Sequence, residues 1–278
     1  VRVLLIGDIV GKLGRRTVGQ VLPDLRKKEK IDLVIANAEN LTHGTGASPE
    51  HLKEVGEMGV DFFTSGNHIF DRDDTFATAK LQPNGSEDST FEVEVPLIRP
   101  LNYPSGTPGK GYAFLHHKDK KVLILNLLGW TFMGEDVGNP FQTIEEQLAD
   151  LAKEKPDFTF LDFHAEATSE KRAMGFFLDG RATAVVGTHT HVPTADAQIL
   201  PKGTGYVSDL GMVGARDSVL GVESEIIIKR LKNNERKSFE WVEKGPAVFY
   251  SVFLETDPRG LVKEIKRIDL DLPAGRQG

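Results

Sequence analysis

The chain opens on short, β-branched apolar runs alternating with amphipathic stretches of helical period, and this alternation restricts the fold more than any other feature. Residues 3–6 predict a buried strand, residues 14–28 a helix interrupted near Pro23, and residues 33–36 a second strand. Pro49 stands near the start of a second helix with Ser48 as its N-cap, and residues 62–64 form a third strand. A β-α-β-α-β order builds an α/β layer of neighbouring parallel strands, because each helix carries the chain back to the same edge. Further on, residues 122–127, 158–163 and 184–186 read as buried strands, and residues 143–153 and 169–179 as helices. Residues 81–111 are rich in Pro, Gly, Ser and acidic side chains and read as loop. The last third, with strand patterns at 248–254 and 262–268, is expected to supply a second sheet. No linker or internal repeat divides the chain, so residues 1–271 are expected to form one domain, followed by a solvated tail at 272–278.

Composition removes several classes of chemistry. There is no cysteine, which excludes disulfides, thiolate nucleophiles, zinc–thiolate sites and iron–sulfur clusters within the chain. Any metal must be held by His, carboxylates and amides. A net charge of −7 argues against a duplex-DNA or membrane-surface binder, which carries a basic excess. A small phosphate-bearing substrate remains compatible, since bound cations supply the positive field locally. No apolar stretch approaches the ~18 residues of a membrane span, and the expected location is the cytoplasm.

The functional signal lies immediately after the buried runs. The first leads into Gly7-Asp8, the second into Asn37-Ala38-Glu39-Asn40, and the third into Gly66-Asn67-His68 with Asp71 close behind. Later ones lead into Asp162-Phe163-His164-Ala165-Glu166 and Gly187-Thr188-His189-Thr190-His191. In an open α/β sheet the carboxyl ends of parallel strands share one edge, where ligand sites form. Each fragment alone also has a plain structural reading as a turn or a satisfied core polar group. Together they bring Asp8, Glu39, Asn67, His164, His189 and His191 to one rim, and four of the eight histidines fall in these segments. His189-x-His191 is expected to converge because alternate residues of an extended backbone share a face. Imidazole, carboxylate and amide oxygen suit iron, manganese or zinc rather than calcium. A bridging carboxylate, Glu39 or Asp8, would hold two such ions, which polarise a phosphoryl oxygen and lower the pKa of a bridging water.

These residues resemble the calcineurin-like metallophosphoesterases, and more closely their YmdB-like bacterial branch acting on cyclic nucleotides. The resemblance is carried by Gly-Asp-Ile-Val-Gly at 7–11, Asn-Ala-Glu-Asn at 37–40 and Gly-Asn-His-Ile-Phe-Asp at 66–71. It continues in Asp-Phe-His-Ala-Glu-Ala-Thr-Ser-Glu-Lys at 162–171 and Val-Gly-Thr-His-Thr-His-Val at 186–192, and covers nearly the whole chain. It implies a four-layer α-β-β-α sandwich. It also implies that Asp8, Asn40 and His191 hold one metal and that Asn67, His164 and His189 hold the other, with Glu39 bridging. His68 would be the proton donor to the leaving group. The wider superfamily carries Asp-x-His in its first motif. Here Val10 stands at the His position, and the resemblance implies that Asn40 takes over the ligand role. The resemblance further implies two divalent ions, iron foremost with manganese or zinc as alternatives, and a homo-oligomer.

The expected activity is hydrolysis of nucleoside 2′,3′-cyclic monophosphates, and of 3′,5′-cyclic ones as an extension, by attack of a metal-bridging hydroxide. A phosphomonoesterase using the same ions is the nearest rival, and a non-catalytic nucleotide or metal sensor the rival from another class. Residues 81–95 are more polar than the resemblance leads one to expect, so substrate preference could differ there while the metal chemistry stays. Gly109-Lys110-Gly111 lacks the P-loop frame, and no Gly-x-Ser-x-Gly elbow is present. Gly11–Arg16 admits two readings, a phosphate cradle at a helix start or a glycine turn followed by a solvated basic stretch.

Overall fold

A computed structural model describes residues 1–76, 96–134, 136–235 and 237–274. The polar stretch 81–95 lies outside the described residues.

The β1 strand (Arg2–Ile9) is apolar on both faces, and the two faces serve different cores. Leu4 and Ile6 pack with Val18 and Leu22 of α1 (Gly11–Glu29), whereas Val3 and Leu5 pack with Val122, Phe160 and Val186 of a second sheet. Double-sided burial is what a continuous Val/Ile/Leu run requires. The β2 strand (Leu33–Asn37), α2 (Pro49–Glu57) and β3 (Phe62–Thr64) follow as expected, and the Ser48 hydroxyl accepts the His51 N–H to cap α2.

The second sheet is built from β4 (Tyr112–His117), β5 (Lys120–Leu128), β6 (Phe158–His164) and β7 (Ala184–Thr188), with α3 (Pro140–Asp150) and α4 (Thr168–Phe177) on its outer face. Leu123, Leu161 and Val185 meet Ile144 and Met174 of these helices. The short strands β8 (Gln198–Ile199) and β9 (Gly205–Val207) complete that sheet, in the order β4-β5-β6-β7-β9-β8. The chain then returns to the first sheet with β10 (Met212–Ala215), α5 (Ser224–Asn233), β11 (Ala247–Thr256) and β12 (Val262–Leu272). The first sheet runs β12-β11-β10-β1-β2-β3. Three apolar clusters, one under α1 and α2, one between the sheets and one under α3 and α4, define the α-β-β-α layering. Among the described residues no helix is long and apolar enough to cross a membrane.

Several details differ from expectation. Pro23 does not interrupt α1. An interior proline costs about 3 kcal/mol. Burial of Val18, Leu22 and Leu25 on either side of it contributes roughly 1.5–3 kcal/mol each, which is enough to carry the helix through. The late residues do not form the second sheet: β10, β11 and β12 extend the first, and β4–β9 make the second. The strands β4, β8, β9 and β10 have no clear signature of their own. β10, four residues with a central glycine, is a strand because β1 and β11 flank it. β12 continues through Leu272, paired with Ala247, one residue into the expected tail.

Candidate metal centre

Sheet one brings Asp8, Glu39, Asn40, Asn67 and His68 to its carboxyl edge. Asp8 reaches it through a backbone irregularity. The β1–β2 register steps from Ile6↔Ala36 to Asp8↔Asn37, so Gly7 is an extra residue. By simple alternation Asp8 would share the face of Ile6, towards α1. The bulge turns it between the sheets instead, where its Oδ2 accepts the His189 N–H at 3.3 Å. Only glycine fits at position 7, because a Cβ there would stand 1.8 Å from the Gly211 carbonyl oxygen.

After β2 the chain enters a tight loop held from three sides. Asn37 accepts the Glu39 N–H, Arg15 donates to the Leu41 carbonyl, and Gly11 donates to the Asn40 carbonyl. Arg15 also pairs with Glu54, so the basic start of α1 anchors this loop. Glu39 and Asn40 are thereby buried, and Asn40 Nδ2 donates to the Gly44 carbonyl, which leaves its Oδ1 facing the site. After β3, Gly66 admits the closest approach. A Cβ there would lie 2.3 Å from both Glu39 Oε2 and His164 Nε2. Gly66→Ala is therefore expected to lower metal affinity at least ~10-fold without changing any charge, measurable as metal per chain after dialysis. Parental metal content in that variant would show the site to be looser than described.

Sheet two contributes His164 from the end of β6, and His189 and His191 from beyond β7. The expected alternation of an extended strand does not bring the last two together. β7 ends at Thr188, and His189 and His191 have φ of +99° and +63°. Such conformations cost on the order of 1–3 kcal/mol each for non-glycine residues and persist only where the surroundings enforce them. The turn sends the two imidazoles to different places. His189 Nδ1 lies 3.1 Å from His164 Nε2, while His191 Nε2 lies 3.1 Å from Asn40 Oδ1.

Two donor sets result, one of Glu39, His164 and His189 and the other of Asp8, Glu39 and His191, with Glu39 common to both. Around His164 Nε2 stand Glu39 Oε1, Asn67 Oδ1 and His189 Nδ1, each at 3.1 Å. Tetrahedral ligands on metal bonds of 2.0–2.1 Å would be about 3.3 Å apart, so these spacings fit a transition metal. The second set adds Asn40, with His191 Nε2 also 3.9 Å from Asp8 Oδ1. Asp8 Oδ1 is buried without a hydrogen-bond partner, an arrangement that a cation would satisfy. Val10, at the superfamily's His position, instead packs with Met212 and Val248.

The electrostatics agree. Burial pushes the Asp8 carboxyl far above the usual range, His164 opposes this and Glu39 adds to it. Burial holds His191 in its neutral form and, with His164 nearby, drives His189 down to about 3. Burial also disfavours the His164 cation, but the charge and hydrogen bond of Glu39 outweigh it and raise the pKa to about 9. The metal-free chain thus keeps a proton on His164 at neutral pH, and ligation must displace it. Metal uptake at pH 7 should release a proton, and affinity should rise with pH until about 9. Calorimetry in buffers of different ionisation enthalpy reads this directly, and proton-neutral uptake at pH 7 would contradict it.

A shell of hydrogen-bond partners whose roles no local sequence pattern reveals surrounds the donors. Thr188 donates its hydroxyl to Asp162 at 2.6 Å and accepts from His164 Nδ1 at 2.9 Å, fixing the tautomer that turns Nε2 to the site. Asp162 is held by Asn37 and Thr64 in turn. The Leu220 carbonyl accepts from His191 Nδ1, and Glu166 lies 3.1 Å from His189 Nε2. Asp162 and Glu166 stood in the strand-end motifs, but no sequence signal marked Leu220, whose backbone carbonyl is the acceptor.

His68 belongs to neither donor set. Its backbone N–H donates to Glu39 Oε2 at 3.0 Å, its ring is 39% exposed, and Nδ1 bonds Asp71 at 2.8 Å. With Nδ1–H committed to the carboxylate, Nε2 is left for a substrate proton.

The comparisons with known proteins follow the same lines. The YmdB-like protein family model matches residues 4–268. A relative from Bacillus subtilis (strain 168), the 2′,3′-cyclic-nucleotide 2′-phosphodiesterase, is 43% identical over 92% of this chain and 91% of its own length. Among solved structures, a hypothetical protein from Thermus thermophilus superposes with TM-score 0.87 at 39% identity, covering 98% of this chain and 100% of that one. A Mycoplasma pneumoniae structure described as a novel phosphatase gives TM-score 0.87 at 35% identity, over 99% of this chain and 95% of that one. A family match across nearly the whole sequence joins a relative of that identity and a site with the donor groups such a family needs: the chain belongs to the YmdB-like family of metallophosphoesterases.

Proposed function

We propose that this protein is a two-metal phosphodiesterase that opens the cyclic phosphate of nucleoside 2′,3′-cyclic monophosphates. The observation that carries this reading is the sharing of buried Glu39 between two donor sets, one of them fully buried and the other open only at His189. The substrate class is supported by the name and 43% identity of the Bacillus subtilis relative. Asp8, Asn40 and His191 would hold one ion and Asn67, His164 and His189 the other, with Glu39 between them; iron is the first candidate, then manganese or zinc. The ions, when bound, supply Lewis-acid polarisation of the phosphoryl oxygen and an acidified water.

The chain's own residues do the rest. The two sheet edges present the donors from opposite sides, which would fix where the ions stand and, through them, where a phosphate is held. As the water oxygen adds to phosphorus and gives up one proton to solvent, the ring P–O bond breaks and the leaving ribose oxygen takes a proton. His68 Nε2 supplies it, with Asp71 holding the ring at Nδ1 and the Glu39 carboxylate fixing the backbone. The His68–Asp71 pair favours turnover over sensing, because binding alone needs no oriented proton donor. Action on 3′,5′-cyclic nucleotides, a cytoplasmic location, homo-oligomer formation and a single domain over residues 1–271 are parts of the same proposal.

The test combines metal analysis with turnover of 2′,3′-cyclic AMP and of simple phosphate monoesters, with and without chelator. About two transition-metal ions per chain and chelator-sensitive opening of the cyclic ester are expected. Preferential cleavage of monoesters would favour a phosphomonoesterase. A protein inactive on every ester after iron, manganese or zinc is restored would remove the catalytic reading.

A further inference from the structure

Directly beneath the His189-Thr190-His191 turn lies a buried ion pair to which the reaction assigns no step. Lys171 of α4 and Asp209 are each 1% exposed, and Lys171 Nζ stands 2.7 Å from Asp209 Oδ2. Taking two charges out of water is costly, and apolar replacements of such pairs are often neutral or stabilising, so stability by itself is a poor reason for the pair. Its hydrogen bonds point to another. Lys171 Nζ donates to the Thr188 carbonyl at 2.8 Å, at the last residue before the turn. Asp209 Oδ2 accepts both the backbone N–H and the hydroxyl of Thr190, at 3.1 and 2.8 Å, at the residue between the two imidazoles. Asp209 Oδ1 accepts the Gly211 N–H at 2.8 Å, and the Gly211 carbonyl accepts the Asp8 N–H at 3.1 Å.

The pair therefore grips the turn at its entry and its centre, and reaches through Gly211 to the carboxylate ligand of the other sheet. The left-handed backbone of His189 and His191 needs such outside constraint. Asp209 accepts four bonds here, two more than the single amide oxygen of an Asn accepts, and the Lys171 ammonium both donates to the turn and balances that carboxylate's charge. We propose that Lys171 and Asp209 are positioning residues that hold the His189-Thr190-His191 turn so that its two imidazoles face separate metal ions. The inference rests on the two-metal reading above.

The test strips the parent, the double variant Lys171→Met/Asp209→Asn and the variant Thr190→Val of metal. Each is titrated with Mn²⁺ by calorimetry, and the melting temperature of each metal-free protein is recorded. The double variant removes both charges together, leaving no unpaired buried ion, and Asn retains an acceptor for the turn. Its Mn²⁺ affinity is expected to fall about 10–100-fold while its metal-free melting temperature stays within a few degrees of the parent. Thr190→Val, at a half-buried position, removes one bond to Asp209 and should show a smaller loss in the same direction.

Parental Mn²⁺ affinity in the double variant would overturn the proposal, and so would parental affinity with a greatly lowered melting temperature, which marks a purely structural pair. Should the double variant fail to fold, parental affinity in Thr190→Val would overturn it equally. A parent that binds no Mn²⁺ would instead remove the two-metal reading, and with it this one.

Discussion

Glu39→Gln is expected to abolish hydrolysis and to leave the chain unable to retain its full complement of metal. Glu39 is the only carboxylate common to both donor sets, and it is buried. Its Oε1 is 3.1 Å from His164 Nε2, and its Oε2 accepts the His68 N–H at 3.0 Å. Glutamine keeps the shape but has one acceptor oxygen and no charge, so its amide nitrogen must face either the metal side or a backbone donor. Supporting groups one shell removed cost 10–100-fold in metal affinity when mutated, so loss of a shared ligand should exceed about 100-fold. The metal-free variant should still fold, because the site lies at the sheet edges and the three apolar clusters do not include Glu39. Elemental analysis after dialysis, with circular dichroism on the same sample, reads both points. Two tightly held ions and undiminished hydrolysis would show that Glu39 bridges nothing.

His68→Ala separates the two halves of the mechanism. The side chain belongs to no donor set, and the backbone N–H that bonds Glu39 is retained by alanine. Metal content should therefore match the parent. Turnover should fall by roughly 10²–10⁴-fold, the usual worth of a positioned general acid. The loss should shrink for a substrate whose leaving group departs without protonation, such as a p-nitrophenyl ester. If His68→Ala instead loses metal, the residue is a ligand and the proton must come from elsewhere.

Much of this site could be read from order and residue type. Each of the donor segments follows a buried run, and a cysteine-free chain with Asp8, Glu39 and three histidines at run ends leaves His–carboxylate metal chemistry as the consistent reading. The reading of His68 as a proton donor rather than a ligand, and of Asn40 as a ligand, rests on the family resemblance rather than on spacing. What ran against simple patterning did so for local reasons. Pro23 was overridden by the packing of its neighbours, and Met212–Ala215 became a strand only between two partners. The run ends also do not meet on one rim. Asp8, Glu39 and Asn67 come from the first sheet and His164, His189 and His191 from the second, so the site lies where two edges face each other.

Which segments are buried, which residues follow them, and the chemical type of the centre are legible in short stretches, because hydrophobic period and ligand chemistry are local properties. Tertiary structure alone decided the directions of the side chains. Asp8 faces the second sheet because Gly7 bulges against Gly211, and His189 and His191 part because a buried Lys171–Asp209 pair holds their turn in a left-handed conformation. The residues that enforce these directions lie 38 positions apart in one case and about two hundred in the other. Backbone strain of this kind is stable only once distant hydrogen bonds are in place, and no local pattern records them.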